Sequence, residues 1–568
     1  MIRFCSFALL LALGMAPLGR ANPTQELLRS VPPESTICFV AQDWKTHSQR
    51  IAASPFLVRL KESDLGQSLL NPDAMGKIFA LESVLTDALH LSVEQLRDDI
   101  LGDAIVYAYQ PGKTGQADDD SGVLMVKARN SKTLAKLIDD FNGVQKESGE
   151  LKTLTEKPLG KLAYFHRAMA DGTNEYFFVR ESVFAFSKDE RLLKQVLALE
   201  AAPPKVAPFL DAYNRLGLTK PALAAIFQPR LLDNDLQSKI AATPNDHAKA
   251  FLKQFARIWS STNAIAIAVE LGADVELALH VSFDPKTLPA ELKPFLGATV
   301  ASSVWSSIPK DAIFALAGRL DLPQLLSLGK SFLSDPGLKG LKELVENQIA
   351  PAVGKDALPD LLKSIGPDWG IWLTAPGKTS RGRLPDLTVA LRVRNAESKD
   401  NSLGEAARLG LSFAFQMFRV EYNKSHDDQF TIREVKDDSG PIQHLENAKL
   451  LPKGVRPAFA QRGDFLLLAT SPEAIQRFDP KKDAPKADAA LFLRIGWVAL
   501  EQYLRSHGDE LSKFFAASTG KSIGDLLKEI RELQQIVELL DNLELRQTGT
   551  IENTKWTLKL KLIAPLMK

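Results

Sequence analysis

Pro-Gly-Lys-Thr occurs twice in this chain, at Pro111 to Thr114 and at Pro376 to Thr379. Gly-Lys-Thr is how a phosphate-binding loop ends. Such a loop needs another glycine five residues before the Gly-Lys pair, so that backbone N–H groups can close around phosphate. That position holds Tyr107 in one occurrence and Trp372 in the other, and the residues that follow have the pattern of a strand, not a helix. Pro followed by Gly is instead the sequence of a type II turn, in which the glycine takes positive φ. Gly520-Lys521-Ser522-Ile523-Gly524 matches the nucleophile elbow of a serine hydrolase. The elbow follows a strand and is followed later in the chain by a histidine. Leu511 to Ala517 reads as helix, and the last histidine is His507. Ser522, with Asp525 three residues on, reads as a helix cap.

The eight histidines are His47, His90, His166, His247, His280, His426, His444 and His507, none in HxH or HExxH spacing. His507 and Glu510 share a helix face, but one such pair supplies too few ligands for zinc. Asp118-Asp119-Asp120-Ser121-Gly122 lacks the EF-hand order, and Arg129 stands where the bidentate Glu belongs. The corresponding loop of the second occurrence carries Ser380-Arg381-Gly382-Arg383, so opposite charges at equivalent tips read as solvated loops. No catalytic residue, metal ligand or cofactor site is assignable from local spacing, and no cofactor is expected.

Residues 1–21 have the form of a secretory signal peptide. Arg3 is the charged start, Phe4 to Met15 an apolar run, and Gly19-Arg20-Ala21 a cleavage site. The run is too short to span a bilayer, which takes about 20 apolar residues. Cleavage near Ala21 predicts a secreted or periplasmic protein with no transmembrane helix in the mature chain; a retained N-terminal anchor is the alternative. Processing removes two arginines and no acids, taking the formal charge from +1 to −1. A near-neutral chain without a Lys/Arg block lacks the footprint of a nucleic-acid binder and of polybasic membrane attachment. Only Cys38 remains, so no intramolecular disulfide can form. Its counterpart in the second half is about Ala315, which makes Cys38 a small buried apolar residue.

The two Pro-Gly-Lys-Thr segments lie 265 residues apart, and Asn130 and Asn395 are separated by the same interval. The elements around them repeat as well. A prolyl turn at Val31-Pro32-Pro33-Glu34 or Ile308-Pro309-Lys310-Asp311 leads into an apolar strand, 36–40 or 312–317. A helix follows, from near Asp43 or Asp321. Amphipathic helices come next, at 325–333, 338–349 and 358–365 in the second half; in the first half Ser92 opens one. Strands 106–109 and 123–128 form a hairpin around the first motif. A helix at 131–141, strands at 161–167, 175–180 and 183–187, and a helix from Asp189 complete the larger part. The second half runs parallel, with a helix at 404–418, strands near 429–435, 441–445, 457–461 and 464–469, and a helix from Ser471. Ala/Pro/Lys linkers at 200–208 and 479–486 precede a further strand (222–227, 489–493). Each half closes on a hairpin, 264–269 with 275–283 and 543–548 with 555–562. Residues 523–540 carry an apolar stripe expected to pack on the second sheet.

This order resembles a broad group of secreted bacterial proteins, of planctomycete type, that carry a repeated domain of unknown function. The resemblance covers most of the mature chain and implies a non-cytoplasmic location, with no activity or site residue to carry over.

The expected fold is α+β: a tandem duplication in which each copy has antiparallel sheet with helices packed on one face. The first copy spans 22–297, with a larger part to about 200 and a smaller part at 209–297. The second spans 298–568, with a larger part to about 478 and a smaller part at 487–568. The functional expectation is an exported, non-enzymatic binding or scaffold protein whose partner is an envelope component or a hydrophobic ligand. A carrier of lipid or another hydrophobic ligand is one alternative, and would show an apolar cavity. A hydrolase of envelope polymers with carboxylates assembled from distant residues is the other.

Overall fold

The strand Ser121–Lys127, Ser-Gly-Val-Leu-Met-Val-Lys, places Val123 and Met125 on one face and Leu124 and Val126 on the other. Both faces are therefore apolar, and both require cover. This pattern shapes the first of the two units into which the computed structural model divides. The structure describes residues 22–562 apart from 64–65, 68–81, 84–85, 88, 113–119, 203, 205, 273, 298–299, 320–321, 345–363, 378–383, 395–401 and 481–489. The expected signal segment, Lys113, Thr114, Asp118, Asp119, Asp321, residues 345–349 of the expected 338–349 helix, residues 358–363 of the expected 358–365 helix, 378–383 and most of the 479–486 linker thus lie outside the described residues. The first unit is built from segments within 1–52, 72–232 and 264–270, the second from 53–71, 233–263 and 271–568.

The first unit holds β1 (Ile37–Gln42), β2 (Ala104–Gln110), β3 (Ser121–Lys127), β4 (Leu151–Leu159), β5 (Leu162–Met169), β6 (Asn174–Arg180), β7 (Val183–Ser187), β8 (Leu223–Phe227) and β9 (Thr262–Leu271). All pair antiparallel, in the order β4-β5-β6-β7-β3-β2-β1-β8-β9. One face carries Cys38, Val40, Val106, Ala108, Val123, Met125 and Ala185, all buried. Gln42 follows on that face; it accepts from Thr24 Oγ1 at 2.6 Å and from the Tyr213 hydroxyl at 3.3 Å. These partners belong to α1 (Pro23–Arg29) and to a helix at Pro208–Arg215. The other face is covered by α2 (Ser131–Glu147), whose Leu134, Leu137 and Ile138 pack with Leu124, Val126 and Phe184. Helices therefore lie on both faces here, which corrects the one-face expectation. The strands are apolar on both sides, and one layer of helices cannot cover two apolar faces.

The second unit holds β10 (Val275–Phe283), β11 (Ala312–Arg319), β12 (Ile365–Thr374), β13 (Asp386–Val393), β14 (Thr431–Val435), β15 (Ile442–Glu446), β16 (Ala458–Arg462), β17 (Phe465–Ala469), β18 (Ala490–Gly496), β19 (Leu540–Gly549) and β20 (Asn553–Leu562). Their antiparallel order is β14-β15-β16-β17-β13-β12-β11-β18-β19-β20-β10. The core gathers Trp372, Ala315, Ala317, Ala390, Leu467 and Ile475, with Trp372 stacked on Phe478 at 5.9 Å. Gly370 is required there, because a Cβ at that position would lie 2.6 Å from Val304 Cγ1.

Three further helices shape this unit: α3 (Ser402–Ser425), α4 (Trp497–Thr519) and α5 (Ile523–Val537). α5 corrects a second expectation. Its Ile530 packs with Tyr503, Leu504 and Leu511 of α4, while Ile523, Leu533 and Ile536 stay exposed. Only part of the apolar stripe is covered, and chiefly by a helix. The tight turn expected at the second Pro-Gly is also absent, since Gly377 has no positive φ. The connection from β12 to β13 runs from 375 to 385, too long to force the geometry of a two-residue turn.

Candidate functional site

In β5, Tyr164-Phe165-His166-Arg167 sets an aromatic ring and a guanidinium on the same face, two residues apart. The β5–β6 register puts Phe165 opposite Phe177 and Arg167 opposite Glu175. The next pairings place Phe177 opposite Phe186, and Phe186 opposite Leu124. Phe165 and Phe177 stack at 5.0 Å, and Phe177 meets Phe184 at 6.0 Å. An aromatic floor results, with one cross-strand ion pair at its end.

α2 forms the roof. Asn130 caps it, its side chain accepting from the N–H groups of Lys132 (3.1 Å) and Thr133 (3.3 Å). Leu134, Leu137, Ile138, Phe141 and Gln145 then recur at three- and four-residue spacing and face the sheet. A third wall comes from Leu89 and from a single π turn at Leu96–Ile100, in which the Leu101 N–H donates to the Leu96 carbonyl at 2.9 Å. Between these walls lies a cavity of about 460 Å³. That is within the range of roughly 300–1,000 Å³ that small-molecule sites occupy. Its polar groups are few and close together: Asn142, Gln145, Arg167 and Glu175.

Arg167 is only 5% exposed. Its Nη1 donates to Glu175 Oε2 at 2.8 Å and its Nη2 to Gln145 Oε1. The guanidinium stands 5.3 Å from the centre of the Phe141 ring, a cation–π contact. Buried Nε has no hydrogen-bond partner among the described residues. Burial pulls the Arg167 pKa below its ordinary value and the Glu175 charge opposes that, yet an arginine remains protonated throughout the physiological range. Phe141 is 41% exposed and so marks the cavity's solvent side.

The second unit has an apolar cavity of its own, about 440 Å³, lined by Trp369, Trp556, Phe492, Leu316 and Leu545. It also has a polar cleft of about 700 Å³ bordered by Glu446, Arg456 and Glu473. Glu446 pairs with Arg433 at 2.9 Å and accepts from buried His444 at 3.1 Å, and Glu473 pairs with Arg456. Two carboxylates on one cleft are what a hydrolase needs, but these would have to give up existing partners to serve as an acid–base pair.

The motifs singled out by spacing lie elsewhere. Tyr107 sits in β2, and Trp372 is a core residue of β12. The Gly112 N–H donates to Asp120 Oδ1 at 2.9 Å, and the Tyr109 hydroxyl to Asp120 Oδ2 at 2.7 Å. Ser522 caps α5: its Oγ accepts from the Asp525 N–H at 3.1 Å and donates to Asp525 Oδ2 at 2.7 Å. His507 Nδ1 lies 3.3 Å from the Tyr503 carbonyl of its own helix, and His247 bonds Ser334 at 2.6 Å. Among the described residues no group of His, Cys, Asp or Glu could hold a metal ion, and no helix is long and apolar enough to cross a membrane. Sequence reasoning missed Arg167 and Glu175. The available signal was a charged residue alternating with Phe165 on an apolar strand face.

No family model matches the chain, and neither the curated proteins nor the solved structures contain a match to it.

Proposed function

We propose that this chain is an exported, non-enzymatic binding protein, and that its first unit carries a hydrophobic ligand in the cavity between α2 and the β3–β7–β6–β5 sheet face. The observation that carries this reading is the cavity itself: apolar and aromatic walls with a small polar cluster at one end. A scaffold has no need of such a space, and packing it shut would be the more stable solution. The tandem-duplication reading belongs to the same proposal. It is supported by the pairing order, since β4-β5-β6-β7-β3-β2-β1-β8-β9 in one unit parallels β14-β15-β16-β17-β13-β12-β11-β18-β19 in the other. The two Pro-Gly segments each follow the strand that starts the central hairpin of their unit.

The test is titration of the full chain with N-phenyl-1-naphthylamine, a neutral apolar fluorophore, beside an Ile138→Trp variant. The wild type is expected to enhance the fluorescence saturably. The larger side chain fills the cavity from the roof and is expected to weaken binding at least tenfold, with a folding cost of about 1–3 kcal/mol. Equal binding by a folded Ile138→Trp protein would remove the cavity from the account.

A further inference from the structure

Arg167 and Glu175 together make the polar end of the cavity formally neutral, and that sets the chemistry of a ligand's head. Arginine carries five N–H donors. One goes to Glu175 and one to Gln145, while the buried Nε–H has no acceptor among the described residues. Glu175, an acceptor only, has lone pairs beyond the one that Arg167 uses. A head group matched to this end must therefore accept from the guanidinium and can also donate to the carboxylate. A hydroxyl does both with one oxygen. A carboxylate head would accept, but it would also place a second negative charge beside Glu175 in a water-poor site, where an extra unpaired charge is costly. A bare alkyl end would leave the second N–H of Nη1 and of Nη2 and the remaining Glu175 lone pairs without a partner from the ligand.

We infer that the ligand of this cavity is an uncharged single-chain amphiphile with a hydroxyl head, a fatty alcohol or monoacylglycerol, its head between Arg167 and Glu175 and its chain over Phe177, Phe184 and Phe186. The inference rests on the proposed ligand-binding role of the cavity. The volume, about 460 Å³, is in the lower half of the range for ligand sites, which favours one chain over two.

The experiment is competition for the bound fluorophore on the full-length protein at neutral pH with three twelve-carbon probes: 1-dodecanol, dodecanoate and dodecane. Dodecanol is expected to displace at about tenfold lower concentration than either of the others, the effect of one hydrogen bond to a charged group. Glu175→Gln leaves the Arg167 charge uncompensated and is expected to reverse the order so that dodecanoate binds best. That is a gain which loss of folding cannot mimic. Arg167→Met leaves the hydroxyl only the Glu175 carboxylate as a partner and is expected to narrow the preference of dodecanol over dodecane while weakening dodecanoate further. Dodecanoate binding the wild type as well as dodecanol does, or an unchanged order in Glu175→Gln, would overturn the inference. Equal displacement by all three probes would leave the cavity as a site and defeat only the head-group assignment. Absence of fluorophore binding altogether would defeat both.

Discussion

Cys38 stands between Ala108 and Ile226 on the buried face of the first sheet, with no exposed surface. Burial among apolar neighbours drives its thiol far above the ordinary range, since a thiolate there would lose its hydration. The sign of the consequence is fixed by linkage. A folded-state pKa above the unfolded one gives stability that is complete below about pH 8.5 and declines above it, by about 1.4 kcal/mol per pH unit for one group. Cys38→Ala should therefore cost about 1 kcal/mol at pH 7, from the small void left. At pH 9.5 the deficit should disappear. Denaturant unfolding of both proteins at the two pH values checks this, and a constant difference would mean that the thiol ionises in the folded state. The small-apolar reading of Cys38 was legible from its apolar run, Ile37-Cys38-Phe39-Val40, and from matching it with Ala315, which is fully buried as well. Arg167 and Glu175 were not legible in that way. What makes them a pair is the β5–β6 register, and register is set by the burial pattern and turn geometry of both strands together.

At the level of elements, caps and hairpins could be read from the chain because their chemistry is local. Ser92, with its reciprocal bonds to Gln95, Asp189 and Ser471 all sit at helix N-termini as their sequence contexts imply. β4 was missed, and its composition explains why. Leu-Lys-Thr-Leu-Thr-Glu-Lys-Pro-Leu is largely exposed, and β4 ends the strand order of its unit among the described residues. Lys152, Lys157 and Pro158 are the residues that protect an edge from further pairing, so no apolar alternation marks it as a strand. α2 is the element on which the cavity depends, and Asn130 satisfies two of its free N–H groups. Asn130→Ala should lower stability by about 1 kcal/mol. It should also weaken fluorophore binding, because the first turn carries Leu134 of the roof. Asn130→Asp retains the acceptor and should restore both. Thermal unfolding read alongside the titration separates these outcomes; a loss of stability with unchanged binding would mean that the roof is held by packing alone.

For the molecule as a whole, each unit presents an apolar cavity, and the proposed carrier role could fall to either. The polar groups bear on it. In the second unit, Gln547 Nε2 is already spent on the Phe295 and Leu296 carbonyls at 3.1 Å, and Arg319 approaches Asp368 at 3.5 Å. What remains there is mainly aromatic surface, including Trp556 and Trp369, whose buried Nε1–H has no acceptor among the described residues. The first cavity has the Arg167–Glu175 ion pair at its polar end and no tryptophan in its lining. That difference makes the two separable by light. A dodecanol brominated on its chain quenches tryptophan emission only where bromine touches an indole. Loading the full chain with this probe should give one tight equivalent that leaves tryptophan emission unchanged and that disappears in Ile138→Trp. Weaker binding to the second cavity should follow at higher concentration, with quenching that Trp369→Phe and Trp556→Phe reduce. If quenching instead rises in step with the first equivalent, the ligand lies against Trp369 and Trp556. The carrier role would then pass to the second unit, and the Arg167–Glu175 pair would be a structural bridge between β5 and β6.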